Sequence, residues 1–443
     1  MARLIIGHTT HNSTRIWVRG DRKNPAAFLN VRGGNFNRNR KMILEERFGY
    51  TGVFDIGSLS ANTRYECRVQ FGRTTDEPEE TRVDFGHTSG QFKTFPDDDT
   101  LVDLRFLLGS CNLHSMGFWQ NPDDNFRTLL KIAQSEDADF MIHCGDQIYY
   151  DIPNFMKWPD FEEYRLKYLD AWSDSRPTRK FLTRLPHYMI LDDHELVDNF
   201  SNNMTSTKSG ASPDDVKKHG IRVYREFQHI HNPKVYGNQA LYYSYSHGGI
   251  QFFCMDTRSE RVQHQDASTR TMMIDDIQMG HFKRWLTRHK DAIKFVISSV
   301  PFVGHVENND DKWCHEDFRD QREDILKHIL DKDVTGLTFL TGDMHNSYHA
   351  TLEVNSDTKS TTIHELMSSP INQTSKSSLG KYLRNHEIQS RNGFNYKSNI
   401  RTNEFFNDHS NAMIIKAKNR KISYEVFRTR TGKRREMQGS YTC

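Results

Sequence analysis

Four short apolar runs in this chain each end in residues able to hold a cation. Phe140-Met141-Ile142-His143-Cys144 leads into Gly145-Asp146-Gln147-Ile148-Tyr149, and Tyr188-Met189-Ile190-Leu191 leads into Asp192-Asp193-His194-Glu195. Leu337-Thr338-Phe339-Leu340-Thr341 leads into Gly342-Asp343-Met344-His345, and Leu104-Arg105-Phe106-Leu107-Leu108 into Gly109-Ser110-Cys111. Runs of this length make buried strands, and open α/β sheets collect ligands outside the carboxyl ends of their strands. Each ending is weak alone. A Gly-Asp after a strand is ordinarily a turn, a single His is ordinarily structural, and Cys111 reads as a buried thiol. Together the four endings form the pattern of a metal centre.

The donors are rich in oxygen and poor in imidazole. Asp146 can bridge two ions, the Tyr149 phenolate suits ferric iron, and Cys111 can add a thiolate once a metal ionises it. Asp193 and Asp343 supply further oxygens. His345 can supply a nitrogen or donate to a bound anion. This set favours iron in one place and a harder ion, calcium, magnesium or manganese, in the other. It argues against a structural zinc site, which would want paired Cys and His. His194 lies between Asp193 and Glu195, and Glu195 can orient the ring and keep it protonated. A protonated His beside a metal-activated oxygen can protonate a departing alkoxide. Two ions, a bridging hydroxide and a proton donor together suit hydrolysis of phosphate esters. Arg258, just past Asp256, either helps hold the phosphate or makes a structural ion pair, and the sequence weighs the two equally. Asn199 and Asn203 are open as extra ligands.

The elements that must position these residues follow from periodicity. Residues 1–96 read as an all-β sandwich, with strands at 4–8, 13–19, 27–32, 41–46, 51–56, 63–71 and 90–94. Leu59-Ser60-Ala61-Asn62-Thr63-Arg64-Tyr65 resembles the tyrosine corner of fibronectin type III domains, which gives an Ig-like scaffold without a catalytic cluster. Pro96-Asp97-Asp98-Asp99-Thr100 reads as a linker, leaving 101–443 as the second domain. There strands alternate with helices, an α/β pattern. Helices fall at 125–134, 160–172, 275–289 and 318–330. Another starts at Ser212-Pro213 and ends before Pro233. Strands fall at 251–256, 294–300, 336–341, 362–367, 412–416 and 422–427. The stripe Phe161, Tyr164, Tyr168 and Trp172 reads as core. Residues 374–406 lack periodicity and read as a long loop, such as the rim of a site. Lys433-Arg434-Arg435 reads as a solvated tail.

The whole chain limits the function classes. Its 443 residues carry a net charge of +2, with 27% charged and 35% hydrophobic residues, so a large core forms and nucleic acid is disfavoured as the main partner. No run reaches the length of a membrane span. The start lacks the apolar segment of a secretory leader, and the six cysteines are scattered without a C-x-x-C pair. Both point to a cytoplasmic, reduced protein, or to an exported one if a leader preceded this start. Oligomeric state is not legible.

With these residues in place, the chain resembles the alkaline phosphatase D (PhoD-like) family of metallophosphatases, relatives of the calcineurin-like phosphoesterases and purple acid phosphatases. The matches are Gly109-Ser110-Cys111, Gly145-Asp146-Gln147-Ile148-Tyr149, Asp192-Asp193-His194-Glu195, Asp256-Thr257-Arg258 and Gly342-Asp343-Met344-His345, in the family's order. Tyr164-Arg165, Tyr168 and Trp172, leading to Leu185-Pro186, match as well, and the likeness covers nearly all the chain before about residue 370. Leu191 stands where the family often has Trp. The resemblance implies a calcineurin-like sandwich of two mixed sheets flanked by helices, behind a fibronectin-like domain. It implies Fe3+ on Cys111, Asp146, Tyr149 and Asp343, and a second ion, Ca2+ first with Mn2+ or Mg2+ as alternatives, sharing Asp146 and using Asp193. It implies hydrolysis of phosphomonoesters or phosphodiesters, for which the residues themselves offer His194 as the acid, His345 as the second choice, and Arg258 as either phosphate holder or structural ion pair. The alternatives are a nuclease- or phospholipase-like diesterase and an inactive phosphatase-like binding protein.

Overall fold

The computed structural model describes residues 3–75, 88–97, 103–114, 124–152, 159–173, 176–373 and 377–443. The linker expected at 96–100 and the first residues of the 374–406 segment therefore lie partly outside the described residues.

The N-terminal portion is a pair of antiparallel sheets. One holds Leu4–Thr9, Ser13–Arg19 and Thr51–Gly57; the other holds Phe36–Ile43, Ala26–Gly33, Arg64–Gly72 and Ser89–Lys93. Alternation in Ser13–Arg19 sends Ile16 and Val18 between the sheets, against Leu29, Val31 and Val69. The Ser60 N–H donates to the Tyr65 hydroxyl at 2.8 Å, the corner bond expected from the sequence. Trp17 points the other way, and its indole N–H donates to the Glu226 carbonyl at 2.8 Å. It packs with Tyr164, Tyr168, Trp172 and Phe227 of the helices Phe161–Ser173 and Pro213–Phe227. The aromatic stripe is thus core, as its spacing predicts. The Ser212 side chain accepts from the Asp215 N–H, with Pro213 in the first turn, which starts the second helix where expected.

The rest is a two-sheet sandwich. A six-stranded sheet runs, in spatial order, His187–Met189, Phe140–His143, Leu104–Gly109, Asn411–Lys418, Lys421–Arg428 and Met437–Thr442. Its first three strands are parallel. An eight-stranded sheet runs Tyr243–His247, Ile250–Cys254, Lys294–Ile297, Leu337–Thr341, Ser360–Ser368, Ser347–Asn355, Asn395–Phe406 and Glu387–Gln389, with parallel pairing from its second to its fifth strand. The inner faces share Phe106, Phe140, Ile142, Phe252, Phe295, Leu340 and Ile415. Cys144 and Cys254 belong to this core, as the sequence indicates. The helices Asp276–Arg288 and Glu316–Asp331 cover one outer face, and Asp124–Ser135 with Arg176–Leu182 cover the other.

Two expectations fail. The segment 374–406 is no loop over its described length, because Asn395–Phe406 is a twelve-residue strand. Tyr396, Ser398 and Ile400 alternate inward, but a buried Ser and polar neighbours erase the hydrophobic period. The stretch Lys433-Arg434-Arg435 is no tail either. Arg434 pairs with Glu136 at 2.8 Å and with Glu425, and the chain continues into the edge strand Met437–Thr442. Among the described residues, no helix is long and apolar enough to cross a membrane.

Candidate metal centre

The parallel strands of both sheets end at one place, and the backbone there takes an unusual form. Cys111, Asp146, Asp343 and His345 have φ of 57°, 55°, 72° and 53°. For residues with a Cβ, this left-handed conformation costs on the order of 1–3 kcal/mol each and persists only where the surroundings over-determine it. It turns each side chain off the strand end towards the gap between the sheets. The sheets approach closely there. A Cβ on Gly342 would lie 2.4 Å from the Ser110 hydroxyl and 2.9 Å from the Cys144 carbonyl, so only glycine fits.

Oxygens of Asp146, Asp192, Asp193 and Asp343 converge within 4.8 Å of one another, and Asp146, Asp193 and His194 form a second such group. Three carboxylates come from the six-stranded sheet's side and Asp343 from the other sheet. The Cys111 thiol donates to Asp146 Oδ2 at 3.3 Å, and the Tyr149 hydroxyl reaches the same oxygen at 3.4 Å. The His194 backbone N–H donates to Asp146 Oδ1 at 3.3 Å and to Asp193 Oδ1 at 3.1 Å. The Asn199 N–H donates to Asp193 Oδ2 at 2.7 Å. The sequence therefore brings Cys111, Asp146, Tyr149, Asp193, Asp343 and His194 to one centre, and His345 lies close enough for the charge on His194 to act on it.

Several roles change on inspection. Glu195 does not touch His194. It accepts the backbone N–H groups of Asp146 and Asp192 at 3.0 Å and of Gln147 at 2.6 Å, plus the Gln228 amide at 3.0 Å, and so ties two strand ends together. Asp151 is the partner of His194, with Nδ1 to Oδ1 at 2.7 Å, and its other oxygen accepts the Asp198 N–H at 3.0 Å. The signal was there: Asp151 follows Tyr149 by two residues, inside the same turn. Tyr149 stacks on His194 with ring centres 4.1 Å apart. Arg258 is wholly buried, and its guanidinium contacts Asp192 at 2.5 Å, Asp311 at 3.1 Å and Asp193 at 3.7 Å. This is the ion-pair reading, not the phosphate-holding one. Asn203 holds the Gln263 backbone at 2.7 Å and 3.1 Å, so its amide serves a loop. The Asn199 side chain is exposed; its N–H does the work. The sequence also missed Asp311, and Lys312, whose ammonium meets Asp311 at 2.7 Å and touches Asp343.

The electrostatics ask for a cation. Burial, then the Cys111 charge, pushes the Asp146 carboxyl well above its usual range, and burial with Cys111 and Asp146 does the same to the Tyr149 phenol. Burial and the Asp343 charge push the Cys111 thiol up to about 12. These groups ionise together only if positive charge arrives, which a metal ion supplies and which inverts that local preference. Asp192 Oδ2 is buried without a hydrogen-bond partner among the described residues. The donor set therefore fits a bound cation. His194 behaves differently: burial works against its charged form, but Asp193, Asp146 and Asp151 outweigh it and hold its pKa well above the ordinary value. Burial and the charge on His194 push His345 down to about 4.

A profile of PhoD-like phosphatases matches residues 106–426, which contain every residue of this centre. The chain belongs to that family. This PhoD-like chain is 22% identical over 318 residues to alkaline phosphatase D of Bacillus subtilis (strain 168), a match covering 62% of the chain and 51% of that protein. It thus spans about half the length of the curated relative it matches. A solved structure of PhoD superposes with a TM-score of 0.74 at 16% identity, covering 99% of this chain and 91% of that one. A purple acid phosphatase from yellow lupin (Lupinus luteus) seeds superposes with a TM-score of 0.59 at 12% identity, covering 99% and 74%. These likenesses show the fold: mixed sheets and helices behind an all-β N-terminal portion.

Proposed function

We propose that this chain hydrolyses phosphate esters, mono- or diesters, in a metal-dependent reaction. The observation that carries this reading is the convergence of Asp146, Asp192, Asp193 and Asp343 at the strand ends of two sheets, with His194 beside them. The donor chemistry supports Fe3+ on Cys111, Asp146, Tyr149 and Asp343, because thiolate and phenolate suit a ferric ion. It supports a harder divalent ion, Ca2+ with Mn2+ or Mg2+ as alternatives, where the carboxylates of Asp146 and Asp193 dominate. Bound ions would supply the positive charge that polarises a phosphoryl group and makes water acidic near neutral pH.

The chain's own residues do the rest. Asp151 fixes the Nδ1 side of His194, which leaves Nε2 for the substrate. The surrounding carboxylates keep that ring protonated, so His194 delivers its proton to the departing alkoxide oxygen. His345, held neutral, can donate one N–H to a phosphate oxygen without adding charge. Arg258 positions Asp192 and Asp193 from behind and does not reach substrate. Metal analysis of the purified protein, coupled to assays on an aryl monoester and an aryl diester, tests the reading. Metal with turnover is expected. Stoichiometric metal without turnover on either ester would leave an inactive binding protein.

A further inference from the structure

Behind the four converging carboxylates lie three buried cations; Arg258 meets the carboxylates on one sheet's side and Lys312 meets Asp343, the one from the other sheet. Arg258 serves Asp192, Asp193 and Asp311, and Arg261 stands 3.7 Å from Asp311. Lys312 differs from both. Its Nζ lies 2.7 and 2.8 Å from the two oxygens of Asp311 and also touches Asp343 Oδ2, a carboxylate of the cluster. Only 2% of Lys312 is exposed, so its head cannot reach bulk water. The neighbouring residue holds it in place: Trp313 is wholly buried, with its indole N–H 3.3 Å from the Ser298 hydroxyl. An ammonium with three donors can serve two carboxylates at once.

We propose that Lys312 is a resident cation of the metal centre, which supplies one of the positive charges the carboxylates require and so sets how much metal charge the site takes up. The proposal rests on the metal-dependent reading above. Counting Asp311 with the four converging carboxylates, five negative groups face the three permanent cations Arg258, Arg261 and Lys312. Among these eight groups alone two negative charges are left over, and without Lys312 there would be three. The ammonium therefore does two things. It keeps Asp343 from facing Asp192 and Asp193 uncompensated when no metal is bound, and it weakens the hold of the site on an added cation.

The test compares wild type with Lys312→Met, Lys312→Gln and Lys312→Arg. Mn2+ and Ca2+ affinities are measured by titration calorimetry, and thermal midpoints are measured in chelator and in excess Mn2+. The neutral variants should bind at least about 10- to 100-fold more tightly, the range expected for deleting one unit charge roughly 3–6 Å from a divalent ion even with the screening of bulk water. They should also show a wider gap between midpoints with and without metal, and Lys312→Arg should stay close to wild type. Unchanged affinity in a folded neutral variant overturns the proposal. So does an arginine variant that behaves like the methionine one, since packing would then be what matters. A neutral variant that folds only with metal supports it, and one that no metal rescues overturns it, because an added cation must be able to stand in for the ammonium. A wild-type protein that takes up no metal sinks the metal-centre reading itself, which is a separate outcome.

Discussion

Asp192 and Asp146 stand in one cluster but are treated in opposite ways. Asp192 faces a wall of fixed donors: the Arg258 guanidinium at 2.5 Å and the Ser299 hydroxyl at 2.7 Å on one oxygen. Asp146 faces a backbone N–H, a thiol and a phenol, at 3.3 to 3.4 Å, and no permanent cation among the contacts described. The chain thus satisfies one oxygen of Asp192 and leaves only Oδ2 open among the described residues. The surroundings of Asp146 are left electron-rich, with buried groups that ionise only when positive charge comes from outside. Buried charge is stable when paired and costly when not, so the unbalanced half is where a ligand belongs. Function in this fold is thus legible as the place where charge balance stops.

The sharpest way to break this comparison is Asp146→Asn. It should strip metal and reduce ester hydrolysis by more than the about 10- to 100-fold that a residue supporting a ligand costs. Asp193→Asn, beside the Arg258 wall, should keep an ion held by Cys111 and Tyr149. Elemental analysis of both variants decides, and retention of all metal by the Asp146 variant would place the bridge elsewhere. On the other half, Arg258→Met should unfold more readily in urea, by about 3–5 kcal/mol, because it leaves buried carboxylates unpaired. A stable Arg258→Met protein with a raised KM would instead make Arg258 a phosphate holder.

His194 lies between the two halves and can be probed through its partner. His194→Ala should cost about 100- to 10,000-fold on an alkyl ester and much less on a nitrophenyl ester, whose leaving group needs little protonation. Asp151→Asn should cost less than His194→Ala. It also removes a charge that raises the His194 pKa. An acid works only while protonated, so activity falls as pH rises through that pKa, and in the Asp151 variant the alkaline limb of kcat/KM should move to lower pH. A limb that stays in place would free His194 of Asp151. The smallest effect on rate is expected from Tyr149→Phe, which keeps the ring stacked on His194 but should bleach a phenolate-to-iron colour. A protein that is colourless, iron-free and active before mutation would make both sites hard divalent ones.

The chain's apolar runs made the parallel strands and their Asp and His endings legible, because strand ends buried on both faces read as continuous hydrophobic stretches. They hid what depends on the partner across the gap. Asn395–Phe406 was missed since its inward face includes Ser398, and Ser347–Asn355 since its ladder partners are set by neighbouring strands. The sequence pairs Glu195 with the adjacent His194 because adjacency along the chain is visible and a backbone N–H of Asp146 is not. Lys312 was missed because a charged run such as Asp310-Asp311-Lys312 ordinarily faces solvent; here the buried Trp313 drags it inward.

Gly342 has one more consequence. The strand ending there touches Ser110 and Cys144 of the opposite sheet with no side chain between them, and Asp343 meets its three partners only across that contact. The cluster therefore exists only while the two sheets are docked in one register. Each sheet can keep its own hydrogen-bonded ladder after sliding or parting by an ångström or two, but the carboxylates cannot keep their mutual distance. The cluster thus sits like a latch across the seam of the sandwich, and its geometry is a more sensitive gauge of how the two sheets dock than either ladder is.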